Sequence, residues 1–189
     1  VIHVTRDAEN TMQDRYAVAQ EVARRAGALA LDYWRNRDRL AVELKGPQDF
    51  VSRADRDVEA LIRRELAARF PHDRFLGEET AASFDGPIDR CWVVDPIDGT
   101  HNFLRGMPFW NVAIAYVENG RARIGVVLDP PSGELYRAER GGGAWCDDAS
   151  GSKRLHAAAT SDLAGAYVAL GHHDRVPDDP QARPTETVD

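Results

Sequence analysis

Sulfur is scarce in this chain: two cysteines and two methionines in 189 residues. Cys91 and Cys146 form no CxxC pair and have no ligand-like spacing with histidine. That excludes a disulfide-stapled scaffold and a thiolate zinc module, and a reduced, cytoplasmic setting is the simplest expectation. No apolar run approaches the roughly 20 residues needed to cross a bilayer, and no basic-then-apolar leader opens the sequence, so no membrane partner is expected. There is no run of Lys or Arg either. With 24 basic against 31 acidic residues the net charge is −7, which argues against nucleic acid or an anionic membrane as main partner. An acidic protein that handles a phosphate ester needs local neutralisation, and a bound metal ion supplies it.

What is present reads as globular: 43% hydrophobic and 29% charged residues. Residues 1–11 lack periodicity. From 12 to 37 the residues Tyr16, Ala19, Ala23, Ala26, Ala30 and Tyr33 recur at helical steps. Gly27 there either weakens the helix or lets another element approach closely. Turn chemistry at residues 45–49 separates this helix from a second, over 54–70, with Val58, Leu61, Ile62 and Leu66 on one face and Pro71 at its end. Residues 74–77 make a short strand, 80–89 a polar loop, and 91–94 an apolar strand that stops at Asp95-Pro96. The period then changes to two: strands over 112–118, 121–128 and 134–139, the first two joined by an Asn119-Gly120 hairpin, with Gly141-Gly142-Gly143 and Trp145 closing the set. Helices first and an antiparallel meander afterwards define an α+β fold. A unit over 12–160 is expected, with 161–189 as a linker or the start of a further part; His172, His173 and Asp174 read as solvated.

Three acidic clusters stand where elements end: Asp55 at the start of the second helix, Glu78-Glu79 after Gly77, and Asp95 with Asp98 around a strand-to-turn break. Oxygen-only donors suit hard cations such as Mg²⁺. In Asp95-Pro96-Ile97-Asp98-Gly99-Thr100 the proline stiffens the turn, two acids stand three residues apart, and Gly99 permits close approach. If Gly99-Thr100 opens a helical turn, its N–H groups face an anion. Each piece alone has a bland reading: a turn at Asp98-Gly99, a solvated pair at Glu78-Glu79, a helix cap at Asp55. Their joint order does not. Trp110, Trp145 and Cys91 read as core; His101 either touches substrate or is a bystander.

The order Lys45-Gly46-Pro47…Asp49-Phe50-Val51-Ser52…Ala54-Asp55, Gly77-Glu78-Glu79-Thr80 and Trp92-Val93-Val94-Asp95-Pro96-Ile97-Asp98-Gly99-Thr100-His101-Asn102-Phe103 resembles the inositol monophosphatase family. The likeness continues through Gly141-Gly142-Gly143-Ala144-Trp145 and covers about residues 12–160. It implies a layered αβαβα sandwich of the sugar-phosphatase type, of which this sequence holds mainly the N-terminal helix pair and antiparallel sheet. It also implies a Mg²⁺-dependent, lithium-sensitive phosphomonoesterase using two or three ions. Glu78, Asp95, the Ile97 carbonyl and Asp98 would hold metal. Asp55, Thr100 and Glu78 would be catalytic, Thr100 and Asp55 orienting the attacking water. Glu78, Ile97, Asp98, Gly99 and Thr100 would meet substrate, a small phosphorylated metabolite. By the same resemblance a homodimer is expected, with Lys45 at most in the outer electrostatics. The expected ester is myo-inositol 1-phosphate, with histidinol phosphate the nearest rival. A nucleotide 3′-phosphatase is disfavoured by Asn102, and a non-catalytic dimerising or regulatory module is the alternative of another class. Family members usually carry a later tryptophan-aspartate segment with one more metal ligand, and this sequence contains none.

Overall fold

The computed structural model describes residues 11–37, 42–46, 49–81, 85 and 88–168. Helix α1, Met12–Arg35, starts at a capping box in which Thr11 and Asp14 satisfy each other's exposed groups. Its buried stripe is Val18, Ala19, Val22, Ala23, Ala26, Gly27 and Ala30. Small residues let this stripe lie close to the sheet. At Gly27 the approach is closest: a Cβ there would stand 2.3 Å from Leu128 Cδ2. Of the two roles expected for this glycine, close approach is therefore the one the fold uses.

On either side of the expected turn, β1 (Val42–Gly46) and β2 (Asp49–Ser52) pair antiparallel, and β2 leads into α2 (Arg53–Arg69). Helix α2 buries Ala54, Asp55, Val58, Glu59, Ile62 and Leu66. Two of these six are acids, which no purely structural apolar stripe requires.

Among the described residues the main sheet has seven strands in sequential order. They are β3 (Arg74–Gly77), β4 (Cys91–Asp98), β5 (Asn111–Glu118), β6 (Arg121–Asp129), β7 (Glu134–Glu139), β8 (Gly143–Asp148) and β9 (Gly151–Leu155). Neighbours from β4 to β9 are antiparallel, but β3 and β4 run parallel, with Gly77 opposite Val94. The expected antiparallel meander is present, and the parallel β3–β4 pair at its edge makes the whole a mixed sheet. The expected end of β4 at Asp95-Pro96 is also corrected. The strand runs to Asp98, because the register against β5 shifts between Asp95 and Asp98. At such an irregularity the missing proline donor leaves no ladder bond broken.

One face of the sheet carries the core. Trp92, Val94, Ile114, Tyr116, Ile124 and Val126 are nearly solvent-free and pack under α1 and α2. A buried ion pair rivets this layer: Arg15 Nε and Nη2 donate to Asp73 at 2.8 and 2.9 Å. The guanidinium lies over the rings of Phe70 and Tyr116, and the Asp73 side chain is 1% exposed. Asp73 immediately precedes β3, so the rivet fixes where that strand begins. The Asn119-Gly120 hairpin has both residues at positive φ, 52° and 66°, as its turn requires. Among the described residues no helix is long and apolar enough to cross a membrane.

Candidate metal and phosphate site

Parallel pairing puts the ends of β3 and β4 side by side. Glu78 N–H continues the ladder by donating to Val94 O at 3.1 Å, so Glu78 and Asp95 follow each other's partners across the strand pair. Their carboxyl groups are within hydrogen-bonding reach of each other. Both line one end of a groove of about 420 Å³ on the sheet face opposite the helices, walled by Leu76, Val93, Ala113, Ala115 and Val127. That apolar wall explains the electrostatics. Burial first, then the charges of Glu78 and Asp98 and the hydrogen bond with Glu78, together push the Asp95 carboxyl up to about 8. Only the Ile97 N–H, donating to Asp95 Oδ1 at 3.1 Å, pulls the other way.

Gly99 sits just beyond the strand with φ 92° and ψ 37°, left-handed geometry in which a Cβ would stand 2.9 Å from Phe109 O. It starts the short helix α3, Thr100–Leu104. The turn brings the Thr100 hydroxyl 3.2 Å from Asp55 Oδ1 and 3.1 Å from Ile97 O. Its one proton serves these two acceptors together or in turn. Asp55 is 1% exposed, so it belongs to the site's floor and is not a solvated cap.

Asp98 is exposed, and its Oδ2 accepts from Asn111 Nδ2 at 2.9 Å. Asn111 Oδ1 is buried with no partner among the described residues. An acceptor left without a donor beside an acid is what a cation or its water satisfies. Among the described residues no three His, Cys, Asp or Glu side chains form a cage by themselves. The Glu78–Asp95 pair therefore needs further oxygens, and the Ile97 carbonyl and Asp98 are the nearest in sequence. That donor set, all oxygen and mostly anionic, fits a hard divalent ion.

The structure thus gathers Glu78 with Asp95 and Thr100 with Asp55, joined by the 95–100 turn. His101 is half-buried on α3. Trp110 and Cys91 are core, 3% and 0% exposed; Trp145 is half-buried between the guanidinium groups of Arg137 and Arg154. The side chain of Lys45, and His172, His173 and Asp174, lie outside the described residues. Sequence reading missed Asn111 and Glu59. The available signal for Glu59 was its place in the 55–58–59–62–66 stripe, where an acid among apolar residues calls for a partner.

The sequence profile of the inositol monophosphatase family matches residues 11–187. An inositol-1-monophosphatase of Rhizobium meliloti (strain 1021) is 40% identical over 154 residues, 82% of this chain and 56% of that protein. A histidinol-phosphatase of Chlorobaculum parvum is 37% identical, over 90% of this chain and 64% of its own. Among solved structures, the extragenic suppressor protein suhB from Bartonella henselae superposes with a TM-score of 0.68 at 38% identity, covering 76% of this chain and 54% of that one. The chain therefore spans little more than half the length of such relatives. Profile, identity and superposed fold agree with one another: this chain belongs to the inositol monophosphatase family.

Proposed function

We propose that this chain carries the metal-binding part of a phosphoric monoester hydrolase that splits a small phosphate monoester with an activated water. The observation that supports it best is the carboxyl pair Glu78–Asp95 at the end of an apolar groove, its Asp95 member raised by burial, standing beside a hydroxyl–carboxylate pair. In this reading Glu78, Asp95, the Ile97 carbonyl and Asp98 hold Mg²⁺, two or three ions in the working enzyme. When bound, the metal makes a coordinated water more acidic and neutralises charge that develops on the phosphoryl group. The remaining work falls to the protein. Asp55 accepts from the Thr100 hydroxyl and so orients that oxygen to take a proton from the attacking water as its own proton passes to the Asp55 carboxylate. The backbone of Gly99 and Thr100 and the side chains of Glu78 and Asp98 meet the phosphate end of the substrate. The apolar groove limits solvent, which strengthens every charge interaction within it.

Myo-inositol 1-phosphate is the ester assigned, supported by the 40% identity to an inositol-1-monophosphatase. Histidinol phosphate is the second reading, favoured by the histidinol-phosphatase that matches over 90% of the chain. We further assign a cytoplasmic homodimer, inhibited by lithium, with residues 12–160 as its catalytic unit. The deciding experiment measures phosphate release from a panel containing both esters, with and without Mg²⁺, beside Asp95→Asn. Mg²⁺-dependent release that Asp95→Asn abolishes is expected. Release that ignores Mg²⁺, or none from any ester by folded protein, refutes the assignment of activity to this chain.

A further inference from the structure

Glu59 is a carboxylate in the wrong place for a solvated helix face. It lies on the buried stripe of α2 and is 3% exposed. Its two oxygens have separate partners: Oε2 accepts from the Glu79 backbone N–H at 2.8 Å, and Oε1 accepts from the Thr80 hydroxyl at 2.8 Å. Arg63, one turn on, stands 3.8 Å from Oε1 and donates to Thr80 Oγ1 at 2.5 Å. Its guanidinium lies over the Phe75 ring of β3, 4.6 Å from the centroid. The carboxylate itself fills the space beside Gly77, where a Cβ would meet Glu59 Cδ at 2.3 Å.

These contacts converge on the two residues that follow Glu78. On its strand side Glu78 is held by its N–H to Val94 O. On its loop side Glu79 and Thr80 are held by Glu59. The backbone of Glu78 is therefore pinned on both sides, and its side chain is aimed at Asp95. We infer that Glu59 is a positioning residue for the Glu78–Asp95 pair, setting the geometry in which that pair takes a divalent cation. The inference rests on the metal-site reading above and adds the residue that preorganises it. It also accounts for Gly77, which must lack a side chain to admit the carboxylate.

A carboxylate is suited to this task in a way that an amide is not. Both oxygens accept, so one side chain fastens a backbone donor and a hydroxyl donor at once. A glutamine offers one accepting oxygen, and its NH₂ group would face a Thr80 oxygen already receiving Arg63. Glu59→Gln therefore keeps the volume and loses one fastening and the charge partner of Arg63. Thr80→Val removes only the hydroxyl fastening and leaves the Glu79 one in place.

The test titrates the 189-residue chain with Mn²⁺, counting bound ion by electron paramagnetic resonance, in the wild type, Glu59→Gln and Thr80→Val. Melting temperature and the exchange rate of the Glu79 amide are read on the same samples. The expected result is a dissociation constant weakened about 10- to 100-fold in Glu59→Gln and by less in Thr80→Val, the range typical of residues that support metal ligands. The Glu79 amide should exchange faster in Glu59→Gln. Mn²⁺ affinity unchanged in both folded variants, whatever the amide does, overturns the positioning role and leaves the metal site intact. A wild-type chain that takes up no Mn²⁺ refutes the metal-site reading and this inference with it. If Glu59→Gln fails to fold, Thr80→Val decides alone: weakened binding supports the role and unchanged binding overturns it.

Discussion

Replacing Asp95 by asparagine should make the metal-free protein more stable while removing its response to metal. Asn keeps the oxygen that accepts from Ile97 N–H, so the turn survives. What disappears is a carboxyl pushed from 3.8 to about 8 by burial and by its acidic neighbours. A rise of about 4 units sets a ceiling of about 6 kcal/mol at 1.36 kcal/mol per unit. The side chain is only half-buried, so solvent screening reduces the realised effect to about 2 kcal/mol. The sign follows from linkage. Between the unfolded value and about pH 8 the folded chain holds the extra proton, so stability falls as pH rises through that window.

Thermal melts in chelator from pH 4 to pH 9 provide the assay. The wild type should lose stability across the window, and Asp95→Asn should lose less. The two should coincide near pH 4 and differ by about 4–8 °C near pH 8.5, at about 2–4 °C per kcal/mol for a chain of this size. Added Mg²⁺ should then raise the wild-type melting temperature and leave the variant unmoved. Ligand at 100 times its dissociation constant is worth about 2.7 kcal/mol. An Asp95→Asn protein less stable than wild type at pH 8.5 without metal would refute the reasoning, because Asp95 would then be a structural hydrogen-bonding residue.

Three other perturbations probe the frame around the site. Gly77→Ala places a methyl 2.3 Å from Glu59 Cδ at ordinary backbone φ, so it should destabilise by about 2–4 kcal/mol through overpacking and lost bonds to a charged acceptor. Adding Glu59→Ala should recover part of that loss, and additive effects in urea melts would argue against the clash. Arg15→Met strands Asp73, a carboxylate with a 1% exposed side chain, and should cost about 3–5 kcal/mol, moderated by Arg90 at 3.4 Å. Arg15→Met with Asp73→Leu should regain most of it; a double variant as weak as the single would speak against a stranded charge. Asp147→Asn loses a carboxyl held below its usual range by hydrogen bonds from Arg137 at 2.7 and 3.0 Å. It should cost about 1 kcal/mol at pH 7. That difference should fade as pH drops below about 4, since a depressed acid stabilises above its unfolded value and stops doing so once protonated.

Elements with a local signature were legible in advance. The alanine stripe of α1, the Val58–Ile62–Leu66 face of α2, the strand at Arg74–Gly77 and the Asn119-Gly120 hairpin all follow from period or turn chemistry within a few residues. Strand β9, Gly151–Leu155, went unread because its residues are polar and largely exposed, with no alternation to detect. It forms by pairing with β8, a non-local cause. The same limit applies to Arg15 and Asp73, 58 residues apart, each unremarkable until the fold brings them together. For the site, the acids and Thr100 were readable as a motif. Glu59 was passed over despite its place beside Val58 and Ile62 on one face, because an acid in a charged helix reads as solvated unless that face is weighed.

The direction of β3 matters most for function and was least readable. Strand identity is local, but pairing direction depends on where residues 78–90 carry the chain. Had β3 paired antiparallel to β4, Glu78 would lie beside the start of β4 at Cys91. That is four residues, or about 13 Å, from Asp95 at a strand rise of about 3.3 Å per residue. Parallel pairing places both carboxyl ends on the same edge of the sheet, the edge where ligands of mixed and parallel sheets are bound. Register then matters as much as direction. With Gly77 opposite Val94, Glu78 falls beside Asp95, and both side chains emerge on the groove face away from the helices. A slip of one residue would put Glu78 beside Pro96 or Val94 and turn its side chain toward the core under α2. Neither place offers a second acid. The Arg15–Asp73 rivet at the start of β3 and the Glu59 carboxylate beyond its end oppose that slip from both sides. Residues remote in sequence, none of the three a proposed metal ligand, thus hold the register on which the carboxyl pair depends.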